Sequence, residues 1–266
     1  MKKVASLCIL AVTGAALTAP MSTAQASEWS LTSKFNVSFL GLNVGRVKQY
    51  LTVSGSKYTI QGGAKANRLV SLISNAKANY SSAGTVNGNR LVPSKLDVAW
   101  TGRKSGKLSM GYDKDRVASI EAMPKIKYKS GTVPVKKEHL SKVLDPVSSL
   151  IFAVDQGDIG NGRKVCNRTL PIFDGRSRMN LSLSYKSSKR VRVKGFKGKV
   201  HTCAVRYQPV SGIRPAKKNI KFMKANRDME VTMARVGNSN FYALFAFRVR
   251  TTQGIAKGSA YQFSVN

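Results

Sequence analysis

Chemistry in a protein of this size usually shows itself as histidines, cysteines and carboxylates at working distances, and here the supply is thin. His139 and His201 are the only histidines, and Cys8, Cys166 and Cys203 the only cysteines. No G-x-S-x-G elbow, H-x-x-x-H pair or C-x-x-C pair occurs, so the common nucleophile and metal signatures are missing. Asp155 and Asp158 could act as an acid pair, but Gly157, Gly160 and Gly162 around them read as a solvated loop. Asp174-Gly175 reads as a turn. The sequence therefore predicts a non-catalytic protein without a cofactor or metal site, and leaves a hydrolase with an unrecognised site as the weaker reading.

The cations carry more information. With 45 Lys and Arg against 12 Asp and Glu, the chain has a formal charge of +33. Two rows repeat at a spacing of two: Lys125, Lys127 and Lys129 alternate with Ile126 and Tyr128, and Arg190, Arg192 and Lys194 alternate with Val191 and Val193. As strands, each would set cations on one face and apolar groups on the other. Either row alone also fits an ordinary solvated face; with the overall charge, a polyanion-binding face becomes the sharper expectation.

The elements that position these residues begin after an export signal. Lys2 and Lys3 precede an uncharged apolar run, Val4 to Ala19, and Ala24-Gln25-Ala26 offers an A-x-A cleavage site. The run is shorter than the ~20 residues of a spanning helix and Pro20 breaks it, which argues against a membrane anchor. Ala5-Ser6-Leu7 before Cys8 is a poor lipobox. The expected division is a cleaved signal peptide, 1–26, and one β-rich periplasmic domain, 27–266. Removing Lys2 and Lys3 takes the charge from +33 to +31. The two cysteines left, Cys166 and Cys203, form one disulfide in an oxidising compartment. Chain-entropy reasoning gives that bridge roughly 4 kcal/mol. A reactive thiol or a metal ligand set using His201 lacks the further ligands it would need.

From Trp29 onward, short alternating runs separated by turn residues predict antiparallel sheet. Phe35, Val37 and Phe39 take one face, and runs at 47–53 and 58–64 continue a meander. Further strands are expected at 75–82, 95–101, 107–112 and 117–122, then one containing Cys166, and others at 178–186, 190–194, 199–209, 229–234, 243–250 and 260–265. Two short helices are predicted, one at 67–73 capped by Asn67, the other at 145–154 with Asp145 as N-cap and Pro146 in the first position. The fold class that follows is mainly β, a strongly curved antiparallel sheet forming an open or closed barrel or spiral, with one or two short helices.

At Asp145-Pro146-x-Ser148-x-Leu150 the chain resembles the domain-of-unknown-function 3108 family of proteobacterial envelope proteins. The resemblance continues through Cys166, Phe173-Asp174-Gly175-Arg176 with Arg178 and Leu181, and Cys203 with Arg206-Tyr207-x-Pro209 and Gly212. Gly41-Leu42-Asn43-Val44-Gly45 extends it over nearly the whole mature chain. Met179-Asn180 departs from the basic-aromatic-acid pattern usual after Arg178. The resemblance implies an envelope location and a curved β-sheet similar to lipoprotein carriers and spiral-shaped envelope proteins, and it brings no catalytic residue, substrate or cofactor.

Two functions are expected from these observations. In the first, a non-catalytic periplasmic protein supports the cell envelope by binding an anionic lipid, lipopolysaccharide or glycan. In the second, it is a scaffold or chaperone-like module for another envelope protein. Nucleic acid, the usual partner of so basic a chain, is excluded by export.

Overall fold

A computed structural model describes residues 28–67 and 76–266. The signal peptide and the helix expected at 67–73, apart from Asn67, lie outside the described residues. Fourteen strands belong to one antiparallel sheet: β1 Trp29–Phe39, β2 Leu42–Ser54, β3 Lys57–Ala66, β4 Lys77–Asn87, β5 Arg90–Thr101, β6 Gly106–Asp113, β7 Arg116–Met123, β8 Ile151–Ala153, β9 Arg168–Phe173, β10 Arg178–Val193, β11 Phe196–Ser211, β12 Met229–Arg235, β13 Phe241–Thr251 and β14 Gly254–Val265. The order across the sheet is β7-β6-β5-β4-β3-β2-β1-β14-β13-β12-β11-β10-β9, with β8 paired to β13. Two hairpin meanders are thus joined through β1 and β14, and the predicted mainly β, strongly curved sheet is found. The sheet does not close.

Alternation explains the strands. In β2, Gln49, Leu51 and Val53 are buried between exposed Tyr50 and Thr52, and in β3 Tyr58 and Ile60 continue the same inner face. Bulges at Val37/Ser38, Ala83/Gly84, Gly111/Tyr112 and Tyr185/Ser187 bend the strands around this core. The seam between edge strands β7 and β9 is bridged by the segment after β7. Ser141 pairs with Arg116 and Leu144 with Ile172, and the Lys142 amide donates to Asp115 O at 2.7 Å.

The C-terminal strands are buried on both faces. Val200, Phe241, Ala243, Phe245 and Phe263 join the inner core, while Cys203, Val205, Met233 and Tyr242 pack into a second one with Phe152 and Val165. The Tyr185/Ser187 bulge switches faces in the long hairpin. Before it, Leu181 and Leu183 serve the second core; beyond it, Val191, Val193 and Phe196 serve the first. The hairpin tip therefore folds across β14, where the Phe263 amide donates to Lys194 O at 2.9 Å.

Three expectations are corrected. Asp145 does cap a turn, but only a 3-10 turn, Ser148–Leu150, which runs straight into β8 instead of a helix. Ile151 and Ala153 face the first core and Phe152 and Val154 the second, so this uninterrupted apolar run is a strand buried on both sides, which periodicity cannot separate from a helix. Cys166 ends a helix, α1 Gly162–Cys166, rather than lying in a strand; the Asn161 side chain accepts from the Arg163 amide at 3.1 Å and starts the turn. Residues 125–129 form no strand, because what holds them is not a ladder but side-chain contact: Tyr128 donates to Arg176 O at 2.9 Å and lies under the Arg176 guanidinium. A second helix, α2 Lys218–Ala225, was not expected.

Candidate functional site

The predicted row on β10 is present. Arg190, Arg192 and Lys194 are exposed, with Val191 and Val193 half-buried beneath them. Its setting adds to it, since Arg190 stands opposite Lys199 and Arg192 opposite Lys197 on β11. Like charges directly across an antiparallel pair are destabilising. None of these cations has an acidic partner among the described residues. Lys125, Lys127 and Lys129 are exposed too, but on an irregular segment that presents no ordered row.

A second ladder escaped the sequence reading. Arg46 on β2 is in register with Lys65 on β3, and Lys65 with Lys77 on β4, all three exposed. Farther along the same faces Lys34 stands opposite Lys48. These residues are scattered in the sequence, and only strand register collects them. The available signal was the cation at the end of successive hairpins.

The sites that could have been catalytic are occupied by structural bonding. His201 is buried, and its Nδ1 lies 2.7 Å from Ser188 Oγ, which also meets the Tyr185 hydroxyl at 3.0 Å. Burial, with Lys199 nearby, pushes the imidazole below its usual range, favouring the neutral ring. No carboxylate is hydrogen-bonded to His201 among the described residues, so the orienting member of a triad is not there. Asp155 and Asp158 flank a 3-10 turn, Gln156–Asp158, in a surface loop. Among the described residues no cluster of three or more His, Cys, Asp or Glu could hold a metal, and no helix is long and apolar enough to cross a membrane.

Asp145 is the one fully buried carboxylate. Its Oδ1 accepts from the amides of Val147 and Ser148, both at 2.8 Å, and its Oδ2 lies 2.6 Å from Ser148 Oγ and 2.9 Å from Ser82 Oγ. Ser148 also meets the Tyr58 hydroxyl at 2.7 Å. Burial raises the carboxyl above its usual range, against the lowering effect of these hydrogen bonds, and no cation offsets it. A serine beside a carboxylate is part of a hydrolytic site, but here the pair is sealed in the core without a base. It fastens the seam segment to β3 and β4.

The family model described as a protein of unknown function, DUF3108, matches residues 34–262. The chain belongs to that family. No curated protein matches it. Among solved structures it is similar to the crystal structure of a β-barrel-like protein of domain of unknown function DUF1849 from Brucella abortus, at 9% identity, a TM-score of 0.50, and coverage of 90% of this chain and 98% of that one. That likeness supports the fold alone.

The residues that suggested DUF3108 are largely those that hold the seam. Besides the Asp145-Pro146-x-Ser148 cap, the Ser149 hydroxyl donates to Pro146 O at 2.8 Å, and Leu150 packs beside Leu170 and Leu183. Asp174 Oδ1 accepts from the Arg176 and Ser177 amides at 2.9 and 2.6 Å, shaping the turn that follows Phe173. Gly175 sits against Leu108 of β6, where an added Cβ would lie 2.8 Å from its side chain. Gly212, at φ +74°, lets the end of β11 pass this turn; a Cβ there would be 2.0 Å from Arg176 O. Arg178 donates to Asn180 Oδ1 at 2.8 Å, so Asn180 supplies an acceptor where the family pattern has an acid. Pro209 lies at the Arg178/Met179 bulge opposite Met179, where a missing amide is tolerated. Arg206 is half-buried, and burial raises the Tyr207 hydroxyl above its usual range. Cys166 and Cys203 are bonded, with Cα atoms 5.4 Å apart, and tie α1 to β11.

Proposed function

We propose that this protein is a non-catalytic component of the periplasm that binds the anionic surface of the cell envelope. The observation that supports this reading is the pairing of like charges across strands, Arg190 with Lys199 and Arg192 with Lys197. A protein with no anionic partner would lose stability by this arrangement and gain nothing. Against a membrane containing anionic lipid the same residues act together, each contributing about 1 kcal/mol near the surface. Three such charges amount to about two orders of magnitude in affinity. The export signal read from residues 1–26 brings the protein to such surfaces.

Sedimentation with vesicles of phosphatidylglycerol and phosphatidylcholine tests the proposal, with pure phosphatidylcholine as reference. Binding is expected only to the anionic vesicles, and it weakens as salt rises, because screening reaches ~8 Å near physiological ionic strength. The triple variant Arg190→Gln, Arg192→Gln, Lys194→Gln loses about a hundredfold. Replacing Lys217, Lys218 and Lys221, exposed at the start of α2, by Gln removes the same charge and costs much less. Equal losses would reduce the effect to diffuse attraction, and no binding by the parent would end the proposal.

A further inference from the structure

One level of the sheet carries two rows that differ only by face. Outside run Arg46, Lys65 and Lys77; one residue away, inside, Val47 is in register with Ala64, Ala64 with Ala78, and Ala78 with Trp100. The small inner side chains leave a cavity of about 550 Å³ at this end of the sheet, with Val37, Gly45 and Ala66 completing its apolar wall. That volume lies within the ~300–1,000 Å³ of small-molecule sites. Its rim is formed by Arg46, Lys65, Lys77, Arg103 and Lys104, and no acid lines it. None of the five has an acidic partner among the described residues.

Beside this mouth the turn from β1 to β2 exposes two leucines, Leu40 at 64% and Leu42 at 72%. Leu40 is held at φ +52°, a conformation that a leucine adopts only at a cost. Folding alone would be served better by glycine or asparagine at that place. An apolar tip next to a ring of cations suits the boundary between headgroups and acyl chains, where the leucines enter the apolar layer and the cations stay with the phosphates.

We infer that this mouth takes one acyl chain of an anionic phospholipid, the chain lying along Trp100 and the inner alanines and the headgroup phosphate held by Arg46, Lys65 and Lys77. The inference rests on the anionic surface reading above and names the lipid as its ligand at a site distinct from the β10–β11 tip. It makes the protein able to lift a lipid from a membrane as well as rest upon one.

The test uses the mature protein with Trp29→Phe, which leaves Trp100 as the only tryptophan, and a lysophosphatidylglycerol with a brominated acyl chain, kept below its micellar concentration. Bromine in the cavity quenches Trp100 at saturation with one lipid per protein, and native mass spectrometry of the parent finds the same single adduct. Lysophosphatidylcholine with the same chain binds at least tenfold more weakly, and the triple variant Arg46→Gln, Lys65→Gln, Lys77→Gln removes that preference. Ala64→Leu with Ala78→Leu fills the cavity and abolishes quenching, while sedimentation with anionic vesicles persists through the β10–β11 tip. Absence of a saturable quench together with absence of an adduct on the parent would overturn the inference, and the adduct measurement stands even if the filled variant does not fold. Equal binding of the two lysolipids would also overturn it, by removing the role of the rim. Vesicle binding without lipid uptake would fault this inference alone; uptake without vesicle binding would fault the surface reading alone.

Discussion

Asp145→Ala should be among the most damaging single substitutions in the chain, and Asp145→Asn should be mild. The alanine removes the acceptor of two buried amides, those of Val147 and Ser148. A buried donor left unpaired costs about 1–3 kcal/mol, so the two together predict about 2–6 kcal/mol. The Ser82, Ser148 and Tyr58 hydroxyls still bond to one another, so they add little. Asparagine keeps Oδ1 for the amides and offers Nδ2 to the two serine oxygens, a loss of no more than about 1 kcal/mol. The variants also differ in pH dependence. Because burial raises the carboxyl of Asp145 in the folded protein, the native state holds its proton at pH values where the unfolded chain has released it. Stability from this group is therefore fully present below the ordinary aspartate value of 3.8 and falls as pH rises through the raised native one. The asparagine variant lacks that slope and gains on the parent as pH rises. Urea midpoints from far-ultraviolet circular dichroism, taken from pH 4 to 8 on all three proteins, decide the matter. An asparagine as costly as alanine, or a parent-to-asparagine difference independent of pH, would refute the reasoning.

Two further outcomes are expected. Thiol labelling of denatured, unreduced protein should find neither Cys166 nor Cys203, and Cys203→Ser should lower stability by about 2–5 kcal/mol, read from the same urea midpoints. Gly212→Ala must place a Cβ within 2.0 Å of Arg176 O at a φ of +74°, so it should cost several times the ~1 kcal/mol of an ordinary glycine replacement and lower the thermal midpoint, whereas Gly131→Ala, whose Cβ would meet nothing within 4 Å, isolates the backbone part of that cost.

How much of this was legible in the sequence depends on range. Alternation at Phe35 to Phe39 and the turns between runs place the hairpins, because both signals are local. The Arg190 row was readable for the same reason, lying within one strand. Ile151 to Val154 was misread because burial on two faces erases periodicity, and Cys166 because Gly160 and Gly162 hid a helix of one turn and its Asn161 cap. The ladder of Arg46, Lys65 and Lys77 could not be seen at all. It exists only through the register of three strands, and a slip of one residue in any of them would send its cation to the other face. The mouth cavity has the same origin, since an alanine becomes a wall only when another alanine is set beside it.

The pairing of β1 with β14 joins the first described strand to the last, from Leu31 against Val265 to Phe39 against Ala256, in the middle of the sheet. Each meander on either side of that junction can zip by short hairpin closures, but the junction itself spans the whole chain, and loop closure on that scale is slow. A polypeptide delivered end-first, from a ribosome or through a membrane pore, can assemble its first seven strands while the inner edge of β1 stays open. It becomes one roll only after β14 has emerged. Until then that open edge is a template for any other strand, so a chaperone that shields β1 would guard the step on which the rest of the fold waits.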